Sequence, residues 1–441
     1  MSRSTVSIDM LKRLDVRGIE PADLPRQLPR PTLGSDEPVE VVRGILRDVQ
    51  DRGDAALRDY TQRFDGVTLD AIRVPLADCE VALGNLAPDL RAALVQAHEA
   101  ITQFHVEQLR DPHDFERDGI LVQGYHVPVD RAGLYVPGGR AVYPSTVLMT
   151  ATVARVAGVD EIALCVPPER STGTVPAATL AAAALAGVTE VYSIGGAQAI
   201  AALAYGTESI RPVDVIVGPG NAYVAIAKRE VAGSGRVAVP SSFAGPSEVV
   251  VITDESVPPA FAAIDLLVQA EHGPGGLSWL LCWSEAVAER VEVEMARLIQ
   301  AAPRKADIVA TLDGNGYMVL CEGPEQAIAV ANIIAPEHLE LLCDSPETLV
   351  PYVRHAGAVF CGPLSPASIG DYIAGPSHVL PTFGSARFAS ALTVDDFLKQ
   401  LHVVTVSKEG FERVAPHVVA LAQAEGLDAH AQSILLRQVG G

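Results

Sequence analysis

In the stretch APEHLELL, residues 335–342, a carboxylic acid and an imidazole stand side by side, Glu337 and His338, directly after a proline. A neutral imidazole accepts a proton near pH 7, and a carboxylate beside it can tune it or activate water. Pro336 disfavours helical backbone at Ala335, so the helix spelled by EQAIAVANII is predicted to end there and HLELLC to begin a strand. Irregular backbone between the two can send both side chains into one cleft, whereas in a regular strand they would point to opposite faces. A solvated polar turn is the competing reading of the same residues.

A second group of polar residues has the chemistry of a metal site. Gln269 and His272 lie three apart in DLLVQAEHGPGG, a spacing that predicts one helical face just before Gly273 and Pro274 end the helix. SIGDYIAGPSHVLPT adds Asp371 and His378, and AEGLDAH adds Glu425 and His430. Two imidazoles, a carboxylate and an amide oxygen suit zinc or another divalent transition ion. Unrelated core and surface histidines would give the same inventory.

Three glycine-bearing loops supply a third kind of chemistry: VPGGR after Tyr135, IGGAQAI after Ile194 and VGPGNAY after Val217. Glycine lets backbone N–H groups approach a ligand, and the helix that follows offers unpaired donors and a positive dipole end to phosphate or carboxylate. None of the three spells GxGxxG. At successive strand ends they favour a nucleotide or other anionic ligand, with simple tight turns as the alternative.

These residues need elements to position them, and the pattern changes along the chain. Residues 1–130 read as a mainly helical N-terminal region, with amphipathic spacing in VEVVRGILRDVQDRGDAALRDYTQRF and PDLRAALVQAHEAITQFHVEQL. Residues 131–245 alternate apolar runs (GLYV, EIALCV, EVYSI, VDVIV) with helical segments, and residues 246–390 do so again through SEVVVIT, LSWLLCW, GYMVL, LELLC and GAVFCG. Parallel strands with crossover helices follow. The predicted class is α/β, with two Rossmann-like doubly wound halves that lack the complete nucleotide-binding fingerprint and a C-terminal helical tail at 391–441.

At 441 residues and 49% hydrophobic, the chain can bury large cores. Its formal net charge of −21, from 54 acidic and 33 basic residues, disfavours nucleic acid and anionic membrane as partners. Cys79, Cys165, Cys282, Cys321, Cys343 and Cys361 stand singly without any CxxC pair, and read as buried reduced thiols. The first residues lack the apolar core of a secretory signal, and PAATLAAAALAGV is too short to span a bilayer, so a cytoplasmic location is expected.

Eight ordered motifs, GLYVPGG, GGAQAIAALAYGTES, GPGNAYV, AGPSE, QAEH, APEHLE, the GDY and SHVLPT segment, and AEGLDAH, together resemble histidinol dehydrogenase, with the likeness running from about residue 52 to the end. The resemblance implies an NAD-dependent homodimer, one zinc per subunit, that oxidises L-histidinol through L-histidinal to L-histidine in histidine biosynthesis. It places the zinc ligands at Gln269, His272, Asp371 and His430, and the acid/base pair at Glu337 and His338. Ser247, His378 and Glu425 match substrate-contacting positions, joined there by His338 and the four ligands, while Tyr135, Gln198 and Asn221 match residues lining the NAD site. Glu425 and His430 are implied to reach the partner's site. One departure stands out: VAVPSSFAGPSE puts Ser241 where an Asp is common. That leaves room for a relative acting on another polar alcohol, such as a sulfonated diol. A silent NAD-binding scaffold is the remaining alternative, although such a chain would be expected to lose Glu337, His338 or a ligand.

Overall fold

A computed structural model describes residues 10–29, 38–139, 141–240, 245, 247–273 and 275–440. Its contacts divide the chain into two units. The larger holds residues 1–107 and 130–397, and the smaller holds 108–129 and 398–441.

The strands, in chain order, are β1 (Lys12–Asp15), β2 (Arg73–Val74), β3 (His113–Arg117), β4 (Ile120–Pro128), β5 (Arg131–Tyr135), β6 (Glu161–Cys165) and β7 (Glu190–Tyr192). They continue with β8 (Val215–Val217), β9 (Glu248–Thr253), β10 (Leu277–Cys282), β11 (Gly316–Leu320), β12 (His338–Leu342), β13 (Ala358–Cys361) and β14 (Leu398–Val406). In the larger unit one sheet runs β2-β7-β6-β5-β8, parallel except for the antiparallel β2. The other runs β1-β11-β10-β9-β12-β13 and is parallel throughout. Each starts in its middle, at β5 or β9, winds outward on one side and then returns to the other. This is the doubly wound order expected from the alternating pattern.

Every strand predicted from an apolar run is present. The polar β1 was not among them: KRLD is an edge strand pairing only with β11, and so carries no apolar alternation. Likewise β2, β3 and β4 lie in the region read as mainly helical.

The central strands are covered on both faces, as parallel sheets require. Along β12, Leu339 and Leu341 enter one cluster with Val250, Trp279, Ala327 and Ala331. On the other face Leu342 joins Val249, Ala262 and Leu266 beneath the helix Pro259–Ala270. Alternation therefore puts His338 and Glu340 on the face that meets this helix.

Five of the six cysteines are buried and none is bridged. Cys361 is the exception to the expectation of burial, because β13 is an edge strand with alternating exposure. No helix among the described residues is long and apolar enough to cross a membrane.

The smaller unit pairs β14 with β4, and β4 with β3, in an antiparallel sheet. Two helices follow, Lys408–Ala424 and Asp428–Gly440. The turn between them uses Gly426 at φ +71°, a left-handed conformation that favours glycine.

Candidate active site

The helix Pro324–Ile334 ends as the proline predicted, with Ala335 as its left-handed cap at φ 54°. The chain then turns, and His338 opens β12. Glu337 and His338 are both buried and both meet one residue across the switch point between β9 and β12: Glu248, the first residue of β9. The N–H of Glu248 donates to Glu337 Oε2 at 2.9 Å. The carbonyl of Glu248 lies 3.1 Å from His338 Nδ1. Neighbours that a straight strand would send apart are thus held by the two backbone groups of one residue.

The bond to the Glu248 carbonyl requires the proton on Nδ1. His338 Nε2 is then the basic nitrogen. It faces Asp371 Oδ1 at 3.4 Å and is buried without a hydrogen-bond partner. The ring stacks on Phe360, centroids 5.9 Å apart. Burial alone pulls the His338 pKa down, but the carboxylates of Glu337 and Asp371 outweigh it and hold the imidazole well above its ordinary value. Burial pushes the Glu248 side chain up to about 8, helped by the neighbouring Glu337 charge. For Asp371 burial acts upward, yet the facing imidazole of His338 and the nearby His378 and His272 leave the carboxyl below its usual range.

Around this pair, Ser247 Oγ lies 3.4 Å from His272 Nδ1. His378 bridges the Asp371 carbonyl through Nδ1 at 2.9 Å and Thr146 Oγ1 through Nε2 at 3.0 Å. Burial lowers the His378 pKa, so it is a neutral bridge. The helix carrying Gln269 ends at Ala270, so His272 sits in the turn beyond it and not on the helical face predicted from the spacing.

Gln269 is 1% exposed, and neither its Oε1 nor its Nε2 has a partner. An amide buried unpaired costs about 1–3 kcal/mol by mutational measures. Such a group is explained by a ligand, and an amide oxygen beside an imidazole and a carboxylate fits a divalent ion. Among the described residues no three His, Cys, Asp or Glu side chains form a ligand cluster by themselves. The larger unit offers one amide, one imidazole and one carboxylate for this purpose.

Gln269, His272, Asp371, Glu337, His338, Ser247 and His378 line a cavity of about 1560 Å³, and so do Tyr135, Gln198 and Asn221. The last three stand in or beside the predicted glycine motifs at the carboxyl end of the first sheet. Gly196 N–H donates to Tyr135 Oη at 3.2 Å. Asn221 caps the helix Ala222–Ala232 by accepting from Val224 N–H at 3.1 Å. Gln198 is buried with Oε1 unpaired. Gly218 has φ +115°, and a Cβ there would come within 2.0 Å of the Tyr135 carbonyl oxygen, so no other residue fits. The fully buried Lys228 amine donates to the Gly218 carbonyl at 2.7 Å, and burial lowers its pKa to about 7.

The cavity joins two kinds of edge. Its glycine loops follow carboxyl ends of strands, as open α/β sheets favour. Glu248 and His338, however, are at the amino ends of β9 and β12. A carboxyl-end search would therefore have missed half the site.

Glu425 and His430 belong to the smaller unit, both exposed, on either side of the Gly426 turn. Ser241 lies outside the described residues. Sequence reasoning gave no role to Thr146, Lys228 or the backbone of Glu248. Thr146 lies in the first turn of the helix Pro144–Val156, one of three threonines there, and carries no local signal, whereas Glu248 was already visible in AGPSE.

The likeness to known proteins spans nearly the whole chain. The pattern of the family described as Histidinol dehydrogenase matches residues 28–438. A histidinol dehydrogenase of Gluconobacter oxydans (strain 621H) is 47% identical over 92% of this chain and 94% of its own length. One from Bacillus subtilis (strain 168) is 43% identical over 97% and 99%. The crystal structure of histidinol dehydrogenase from Elizabethkingia anophelis superposes with a TM-score of 0.91 at 34% identity, covering 97% of this chain and 98% of that one.

Proposed function

Because this chain belongs to the histidinol dehydrogenase family, we propose that it oxidises L-histidinol through L-histidinal to L-histidine in the cavity described above. The observation that carries the reading is the fixing of Glu337 and His338 by Glu248, in a cavity also lined by the unpaired amide of Gln269.

A four-electron oxidation of an alcohol to an acid needs two different proton transfers, and the pair divides them. His338, with Nδ1–H held by the Glu248 carbonyl, presents the Nε2 lone pair to the substrate hydroxyl and removes its proton as hydride departs. In the second half Glu337 takes a proton from water attacking the aldehyde, and His338 serves again as base for the hydrate. The base must be neutral to act. Two carboxylates favour its charged form against the pull of burial, and a cation held by Asp371 would offset one of those charges.

NAD is the hydride acceptor in this reading, with Tyr135, Gln198 and Asn221 lining its place. The helices Gly196–Tyr205 and Ala222–Ala232 offer their N-terminal N–H groups to its phosphates. Zinc, held by Gln269, His272, Asp371 and the partner's His430, would supply a redox-inert charge that anchors and orients the substrate. Ser247, His378 and the partner's Glu425 complete the contacts.

The assembly is a homodimer with shared sites. Support comes from the smaller unit, which leaves Val404, Val406, Leu421, Leu427 and Leu436 exposed. An apolar surface of this kind in so small a unit suits burial against another copy.

The test is metal analysis joined to an assay of NAD reduction with histidinol, before and after chelation, alongside a panel of polar alcohols. Two NAD reduced per histidinol, lost with the metal and regained with it, supports the reading. Faster turnover of another alcohol would replace the substrate.

A further inference from the structure

Below the cavity, two carboxyls that the reaction does not use face each other. Glu340 follows His338 by two residues on β12, so both side chains leave the same face of the strand. Glu340 is fully buried. Its Oε1 accepts from the N–H of Ala367 at 2.8 Å, the first residue of the helix Ala367–Tyr372 that carries Asp371. Its Oε2 receives no N–H or O–H from the described residues. It meets instead the carboxyl of Asp265, one turn before Gln269 on the helix Pro259–Ala270. Asp265 is also buried, 7% exposed.

Two carboxylates cannot both be ionised in contact at a dry site. They hold together only around a proton, with one acid donating to the other. Burial raises the Glu340 pKa, and the charge of Asp265 and the bond to it raise it further, so the pair keeps a proton. Asp265 is raised by burial as well, with the same bond acting against the rise.

We propose that Asp265 and Glu340, joined by one shared proton, are positioning residues that clamp the helix bearing Gln269, the strand bearing His338 and the helix bearing Asp371 at the spacing that closes on a divalent cation. Glu340 touches all three elements: it stands on the strand, bonds the first turn of one helix and meets the flank of the other. This inference rests on the metal reading given above. Neither carboxyl touches substrate, so their effect passes through the ligands.

The experiment measures zinc affinity by competition with a chromophoric chelator near pH 7.5 on the full-length protein, with unfolding curves as a check on the fold. Glu340→Gln retains an acceptor for Ala367 and a donor for Asp265 without needing a proton, and is expected to bind zinc within about threefold of wild type. Glu340→Asp keeps the chemistry but is one methylene too short to reach both partners, and is expected to bind at least tenfold more weakly while still folding. Glu340→Leu removes both ties, with a larger loss expected. Glu340→Asp binding like wild type would overturn the clamp, as would Glu340→Gln being as impaired as Glu340→Leu. Wild-type protein that takes up no divalent ion retires the metal reading itself, a result distinct from any difference among the variants.

Discussion

Gln269→Leu is expected to stabilise the metal-free protein and to lose that advantage when zinc is added. The amide is 1% exposed with both polar atoms unpaired, so without a ligand it carries the full cost of a buried polar group. Mutational data put that cost at about 1–3 kcal/mol, and leucine fills a similar volume with apolar atoms. For 441 residues the unfolding entropy near the midpoint is roughly 0.9 kcal/mol per kelvin, so the variant should melt about 1–3 °C above wild type in chelator. Zinc at a hundred times its dissociation constant adds about 2.7 kcal/mol to a protein that binds it. Wild type gains that and the variant does not, so the gap closes or changes sign. The assay is calorimetric melting of both proteins with chelator and with zinc, at matched protein concentration. If Gln269→Leu is the less stable protein in chelator, the amide is not an unsatisfied group awaiting a ligand. If zinc raises both midpoints equally, Gln269 is not a ligand.

Three further outcomes follow from the same geometry. Glu337→Gln should leave alcohol oxidation within several-fold of wild type while slowing histidine formation by about 10²–10⁴, the usual range for a lost general base, so that a trapping reagent captures the aldehyde; retained aldehyde oxidation with lost alcohol oxidation would reverse the roles. For Glu248, whose burial raises the carboxyl to about 8, the folded state holds a proton that the unfolded state releases at its ordinary value, so stability falls as pH rises towards 8, by roughly 5 kcal/mol at most. Glu248→Gln keeps an acceptor for the Phe383 N–H and should flatten urea-unfolding free energy between pH 5.5 and 8.5; equal slopes for the two proteins contradict this assignment. Equal amounts of His338→Ala and His430→Ala chains, mixed and allowed to exchange subunits, should regain about a quarter of wild-type activity, since half the dimers carry one complete site; no recovery would place His430 in its own chain's site.

Local order accounts for what the sequence determined by itself. The apolar runs of β5 through β13 announced the parallel strands because strands buried on both faces must be apolar nearly throughout. Pro336 marked where the helix stops, and the glycine loops marked where backbone must come close, because φ is a property of single residues. The motif order carried the family. Tertiary structure alone decided which groups meet. Glu248 holds Glu337 and His338 only because β9 and β12, far apart in the chain, are neighbours in the sheet. Gln269 is an orphaned amide because no donor reaches its Oε1 and no acceptor its Nε2 among the described residues, which is a property of packing and not of spacing. The polar β1 and the pairing of β4 with β14 were equally silent, since an edge strand and a partner hundreds of residues away leave no period in the sequence. The carboxyls of Asp265 and Glu340 read as ordinary acids in a line of letters; that they share one proton follows from the dry space the fold makes between them.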